Sequence, residues 1–115
     1  MSYMLLIREP RGQRAQRSEA EGRALYQRML EFAGSLKARG LLLAAEALTR
    51  EELQLRSAAG RPQLVDGPFT ESKELIGGFF LVSCAQREEA LALARECPAL
   101  EWASIEVREV GTCYE

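Results

Sequence analysis

The residue types best suited to chemistry crowd into one turn, where Asp66, Glu71, Lys73 and Glu74 follow one another around Gly67-Pro68-Phe69. Asp-Gly-Pro is a strong turn signal, and it leaves two roles open for Asp66. One is a general acid or base at the mouth of a pocket between sheet and helices, polarised by Lys73. The other is a turn residue whose carboxylate accepts backbone amides of the Gly67–Thr70 segment. A carboxylate fixed by amides is also well oriented, so both can hold. If Thr70–Glu74 forms a helical turn, Glu71 and Glu74 share a face at i, i+3 and point back toward Asp66. Crowded carboxylates raise one another's pKa, which would make an acid–base cluster. A solvated charged turn is the plainer alternative. Glu46 stands alone in the apolar run Leu41–Leu48. Half-buried, it needs a partner such as Lys73 or an arginine; on an edge strand it faces outward. The candidate site is thus Asp66 as the catalytic group, with Glu46, Pro68, Phe69, Lys73 and Glu74 as ligand contacts.

Other chemistries are narrowed by composition. The 115-residue chain contains no histidine, which removes Ser-His-Asp and Cys-His nucleophile systems, ordinary zinc sites and histidine acid–base catalysis. Cys84, Cys97 and Cys113 form no C-x-x-C pair, so free thiols in a reducing compartment are expected. No stoichiometric metal and no cofactor are expected, since isolated carboxylates suit magnesium or calcium only weakly. Net charge is −2, without the basic excess that direct nucleic-acid binding requires. Arg8, Arg11, Arg14 and Arg17 recur at every third position, either a basic loop that recruits an anionic ligand or simply a solvated one. Gly77-Gly78 suggests a bulge or crowding against another sheet rather than a ligand cradle.

The elements that must position these groups read as follows. Tyr3–Ile7 is a strand apolar on both faces, and Arg8–Arg17, with Pro10 and Gly12, reads as a loop. Ser18 with Glu21 has capping-box spacing, and Leu25, Met29, Phe32 and Leu36 form one helical core stripe ending at Gly40. Leu41–Leu48 is a second strand, and Leu53–Ser57 with Gln63–Val65 flanks Ala58–Pro62 as a hairpin. Gly77–Val82 is another strand apolar on both faces. Arg87–Glu96 is a helix closed by Pro98, and Ser104–Val110 alternates as a half-buried strand. The order predicts one α+β domain over residues 1–115. It is ferredoxin-like, β-α-β-β-α-β with an extra hairpin, its antiparallel sheet carrying both helices on one face.

No remaining segment covers the other sheet face. Either the loops fold over it or a second copy packs sheet to sheet as a dimeric α+β barrel, and the homodimer is the economical expectation. The apolar runs are too short to span a bilayer. The chain enters a strand at once without a charged leader, so no membrane association and a cytoplasmic location are expected.

The segment Val65-Asp66-Gly67-Pro68-Phe69-Thr70-Glu71-Ser72-Lys73-Glu74-Leu75-Ile76-Gly77-Gly78-Phe79-Phe80-Leu81-Val82 closely resembles the signature of the DGPF proteins, a branch of the YCII-related family. Tyr3–Ile7, Glu46-Ala47-Leu48, Glu89-Ala90, Pro98 and Ile105-Glu106-Val107-Arg108 extend the resemblance over nearly the whole chain. It implies a ferredoxin-like fold assembled as a dimeric α+β barrel. Members of that family proposed to be enzymes are thought to use a His–Asp pair in a small pocket. This chain offers Asp66 without a histidine, so a dehydrochlorinase-like activity does not carry over. Two functions remain. One is a metal-independent small-molecule enzyme or ligand-binding protein with a pocket near Asp66. The other, suggested by the family's association with extracytoplasmic-function sigma factors, is a regulatory or interaction protein.

Overall fold

In the computed structural model, which describes residues 1–114, the chain begins with β1 (Ser2–Pro10) and continues into α1 (Glu19–Ala38). Strands β2 (Leu42–Ala47), β3 (Leu53–Ala58), β4 (Arg61–Asp66) and β5 (Glu74–Ser83) follow, then α2 (Arg87–Glu96) and β6 (Ser104–Glu109). The main sheet is antiparallel, in the order β2-β5-β1-β6. With the β3–β4 hairpin set aside, this is the ferredoxin-like order. The hairpin forms a separate two-stranded sheet.

Strand periodicity decides what is buried. Successive side chains point to opposite faces, so Tyr3, Leu5 and Ile7 turn one way and pack beneath the helices with Phe80 and Val82. Phe32 of α1 meets Phe80 edge to face, ring centroids 5.1 Å apart, the arrangement aromatic quadrupoles favour. Leu36 is fully buried beside them, and Ala90, Leu93 and Ala94 of α2 close the other end of the layer.

The helix boundaries follow their local signals. The Ser18 hydroxyl accepts the Glu21 amide while the Glu21 carboxylate accepts the Ser18 amide, the full capping box. Gly40 takes φ 71°, the left-handed turn that ends helices at little steric cost.

Two expectations need correction. The first strand does not stop at Ile7: β1 continues to Pro10, which pairs opposite Glu74. Proline is tolerated there because a strand end needs no further ladder amide. The α1 stripe is also not uniformly core, since Phe32 and Leu36 are buried but Leu25 and Met29 are only half-buried. These two hang over a gap between α1 and the sheet.

Candidate functional site

That gap is a cleft of about 770 Å³. Leu25 and Met29 of α1 form its roof, with Tyr26 at the edge, while Ile7, Ala45, Ala47, Gly78 and Phe80 form its floor. Trp102, which follows a short 3-10 turn (Pro98–Glu101), closes one side. The walls are largely apolar, as expected of a small-molecule site.

One charge breaks this lining. The alternation that turns Leu5 and Ile7 toward the helices carries Glu9 to the same face, where it is only 4% exposed. Its Oε1 lies 2.5 Å from Nε of Arg14, yet it has no hydrogen bond of acceptable geometry. The two observations agree if the contact is an ion pair whose N–H is misaligned. The remaining Arg14 donors are engaged elsewhere: Nη1 donates to the carbonyl of Leu48 at 2.7 Å and Nη2 to that of Gly77 at 3.2 Å. A buried carboxylate held by a single charge leaves acceptor capacity unfilled, which is costly unless something else supplies a donor.

Gly77 makes room for this group. The β1–β5 register passes from Ile7↔Gly78 to Arg8↔Ile76, so Gly77 is the extra residue of a bulge. A Cβ placed there would sit 2.5 Å from Glu9 Oε2 and 2.7 Å from its carboxyl carbon. The glycine pair thus reflects a bulge, as its sequence suggests, and that bulge admits a carboxylate.

The arginines spaced by three are neither a free basic loop nor a solvated one. Arg8 bonds Glu74 and Glu106, Arg11 forks onto both oxygens of Glu52 at 2.6 and 2.9 Å, and Arg14 holds Glu9. Arg17 bonds Gln13 and lies 5.9 Å from the Trp102 ring centre, while Gln13 donates to the Trp102 carbonyl. The segment is clamped to the body at each step. Bonding to Arg11 holds the Glu52 carboxyl below the usual carboxylate range, and Arg8 does the same for Glu106.

The residues singled out from sequence do not converge. Asp66 is exposed at the end of β4, lines no part of the cleft, and accepts no side-chain hydrogen bond among the described residues. The turn amides go to Glu52 instead: Gly67 N–H donates to its carbonyl at 2.8 Å and Phe69 N–H to its carboxylate at 3.5 Å. Pro68 follows a cis peptide bond and is exposed, whereas Phe69 is buried beneath the Arg56 guanidinium, 5.3 Å from its ring centre. Lys73 is exposed and, among the described residues, forms no ion pair with Asp66 or Glu46; its carbonyl accepts the Arg11 amide. Thr70–Lys73 is an irregular turn that enters β5 at Glu74, not a helix, and the two acids diverge, Glu71 to Arg56 and Glu74 to Arg8. Glu46 borders the cleft, but it pairs opposite Phe79, so its side chain leaves on the face away from Ala45 and Ala47.

Sequence reading misses Glu9 because the strand expected to stop at Ile7 runs three residues further, to Pro10. Extending the Tyr3-Leu5-Ile7 alternation by one step places a carboxylate on the buried face, a signal present in the sequence.

The comparisons with known proteins agree with the architecture. A YCII-related domain matches residues 1–112. An uncharacterized protein of Rhizobium meliloti (strain 1021) is 50% identical over 42 residues. That stretch covers 36% of this chain and 34% of the other, so the match spans about a third of the relative's length. Among solved structures, 5-chloro-2-hydroxyhydroquinone dehydrochlorinase from Burkholderia phenoliruptrix AC1100, in complex with 2,5-dihydroxybenzoquinone, superposes with a TM-score of 0.56. The superposition covers 99% of this chain and 97% of that one at 14% identity, a likeness of fold. With its four-stranded ferredoxin-like sheet and two helices matched from end to end, the chain belongs to the YCII-related family.

Proposed function

We propose that the cleft binds a small hydroxylated organic molecule, with Glu9 as the acceptor of its hydroxyl proton. The observation that carries this reading is the Glu9 carboxylate, buried at the inner end of an apolar cleft with one oxygen lacking an aligned donor. A ligand hydroxyl donating to the carboxylate through Oε2, the oxygen that Arg14 does not hold, supplies a donor. Leu25, Met29, Phe80 and Trp102 supply the apolar and aromatic surface that such a ligand buries. If the site turns its ligand over, Glu9 is placed to act as general base and Arg14 to stabilise the anion that forms. Among the described residues, no three His, Cys, Asp or Glu side chains group as metal ligands, and the reading uses the chain's own residues alone. Asp66, outside the cleft, has no part in it.

Hydroxylated quinones and phenols are the probes of choice, because the structurally similar dehydrochlorinase holds 2,5-dihydroxybenzoquinone. Isothermal titration calorimetry with that compound and a set of small phenols should show saturable binding of one molecule per chain. Glu9→Gln should weaken it about tenfold or more, the usual cost of losing a charged hydrogen-bond acceptor, while Asp66→Asn leaves it unchanged. Binding lost in Asp66→Asn and kept in Glu9→Gln would refute the assignment.

A specific observation also favours self-association. Both helices lie on the Leu5–Phe80 side of the sheet, and Met4, Leu6, Phe79 and Leu81 face the other way with no element over them among the described residues. Register places Met4 opposite Leu81 and Leu6 opposite Phe79. The Arg8, Glu74, Glu106 and Arg108 ion pairs edge this patch, giving it the apolar centre and polar rim of an interface. Pairing of two chains sheet to sheet, as in a dimeric α+β barrel, covers it.

A further inference from the structure

We infer that the β3–β4 hairpin is an arm that packs on a second copy of the chain and completes the dimer interface; this rests on the sheet-face pairing proposed above. Leu53, Leu55 and Leu64 of the hairpin are 57%, 74% and 60% exposed. They share one side of it, since Leu55 pairs opposite Leu64 and Leu53 lies two residues along the same strand. The other side, with Gln54, Arg56 and Gln63, is turned to the chain's own body by Arg56, which lies over Phe69 and bonds Glu71. The apolar side therefore faces away from the only chain present. An isolated two-stranded hairpin is at best marginally stable in water, and a leucine-faced one gains stability only by burying that face. The molecule is correspondingly flat, with a radius of gyration of 16.0 Å against about 13 Å for a compact chain of this length.

Area and continuity select the occupant. Four strands of six to ten residues present roughly 400–600 Å² of open face at ordinary strand spacing, short of the about 800 Å² per partner of a standard interface. Two six-residue strands of the arm add roughly 200 Å² on the same geometry, which brings the face to roughly 600–800 Å², within the range of a standard interface. The arm also springs from the strand ends at Ala47 and Glu74, so it leaves the chain at the margin of the main sheet. In a two-fold pair each arm then reaches over the partner's sheet, and both bare surfaces of the chain are covered at once.

Sedimentation equilibrium of the full chain over nanomolar to high micromolar concentrations tests this. The double variant Leu55→Lys/Leu64→Glu alters exposed positions and sets opposite charges across the strand pair, so its folding, checked by near-ultraviolet circular dichroism, should match the parent. The arm predicts a dimer dissociation constant raised about tenfold or more, since each buried leucine contributes at least one such factor. Faster hydrogen exchange of the Leu53–Asp66 amides in the variant should accompany it. A parent that dimerises and a variant that dimerises equally well would overturn the arm while leaving the sheet-face pairing standing. A parent that stays monomeric throughout would overturn both.

Discussion

The two antiparallel units of this chain are built from similar strand residues and end in opposite conditions. On the helix side of the main sheet, Leu5, Leu36 and Val82 are fully buried and one carboxylate is enclosed with them. On the β3–β4 hairpin three leucines stand in the open. Patterning alone does not separate them; what does is whether another element lies within reach. The main sheet has two helices to cover it, and the hairpin has only its own base, held by Arg11 and Glu52 below and by Arg56 and Phe69 along one side. Leucine in this molecule marks a core in one place and an uncovered face in the other.

The largest effect that sharpens the contrast is a cavity. Leu36→Ala removes a fully buried side chain from the core cluster it shares with Phe32 and Phe80 and should cost about 2–5 kcal/mol. Leu55→Ala, measured in dilute protein below the dimer dissociation constant, should cost at most about 0.5 kcal/mol. Urea denaturation of both variants checks the pair, and comparable losses would erase the distinction.

Gly77→Ala comes next. The new methyl group would meet Glu9 and Arg14, with contacts of 2.5 to 3.0 Å to relieve, so stability should fall by about 1–3 kcal/mol, as for other overpacked sites. Displacing the carboxylate should also abolish ligand binding, which Gly60→Ala at the hairpin tip should not. Gly60 has φ 77° and open space around it, so its cost is conformational and local.

Much of this was readable from the residues. The capping box at Ser18 and Glu21, the stop at Gly40, the apolar runs of β1 and β5 and the alternation of β6 are local signals, and local physics decides them. The site was not readable in the same way. Asp66, Lys73 and Glu74 are close in sequence, but the irregular turn leaves the Asp66 and Lys73 side chains exposed and gives Glu74 to Arg8. Glu9, Arg14 and Gly77 meet only through the β1–β5 register and its bulge, a long-range property that no window of sequence contains. Glu52, between two strands and without a motif, does the turn bonding that the Asp-Gly-Pro pattern assigns to Asp66.

The smallest expected effect concerns acid. Arg11 depresses the Glu52 carboxyl through their forked bond, and Arg8 depresses Glu106. A carboxylate whose folded pKa is lowered contributes stability at pH values above its unfolded pKa, about 4.3 for glutamate. That contribution is lost as pH falls through the lower, folded value. Melting temperature should therefore decline below about pH 4.3, and Arg11→Gln should lower it more at pH 6 than at pH 3. Equal drops at both would mean that the fork does not anchor the base of the hairpin through charge.

The central claim is that a ligand sits at Glu9 and not at the Asp66 turn, and amide chemical-shift mapping reads that location directly. In the isotope-labelled chain titrated with 2,5-dihydroxybenzoquinone and small phenols, the Gly77 and Gly78 amides and the Trp102 indole N–H should shift together and saturate. The Gly67 and Phe69 amides should stay in place. Shifts centred on Gly67–Phe69 with Trp102 unmoved, or no saturable shift with any of these compounds, would contradict the account.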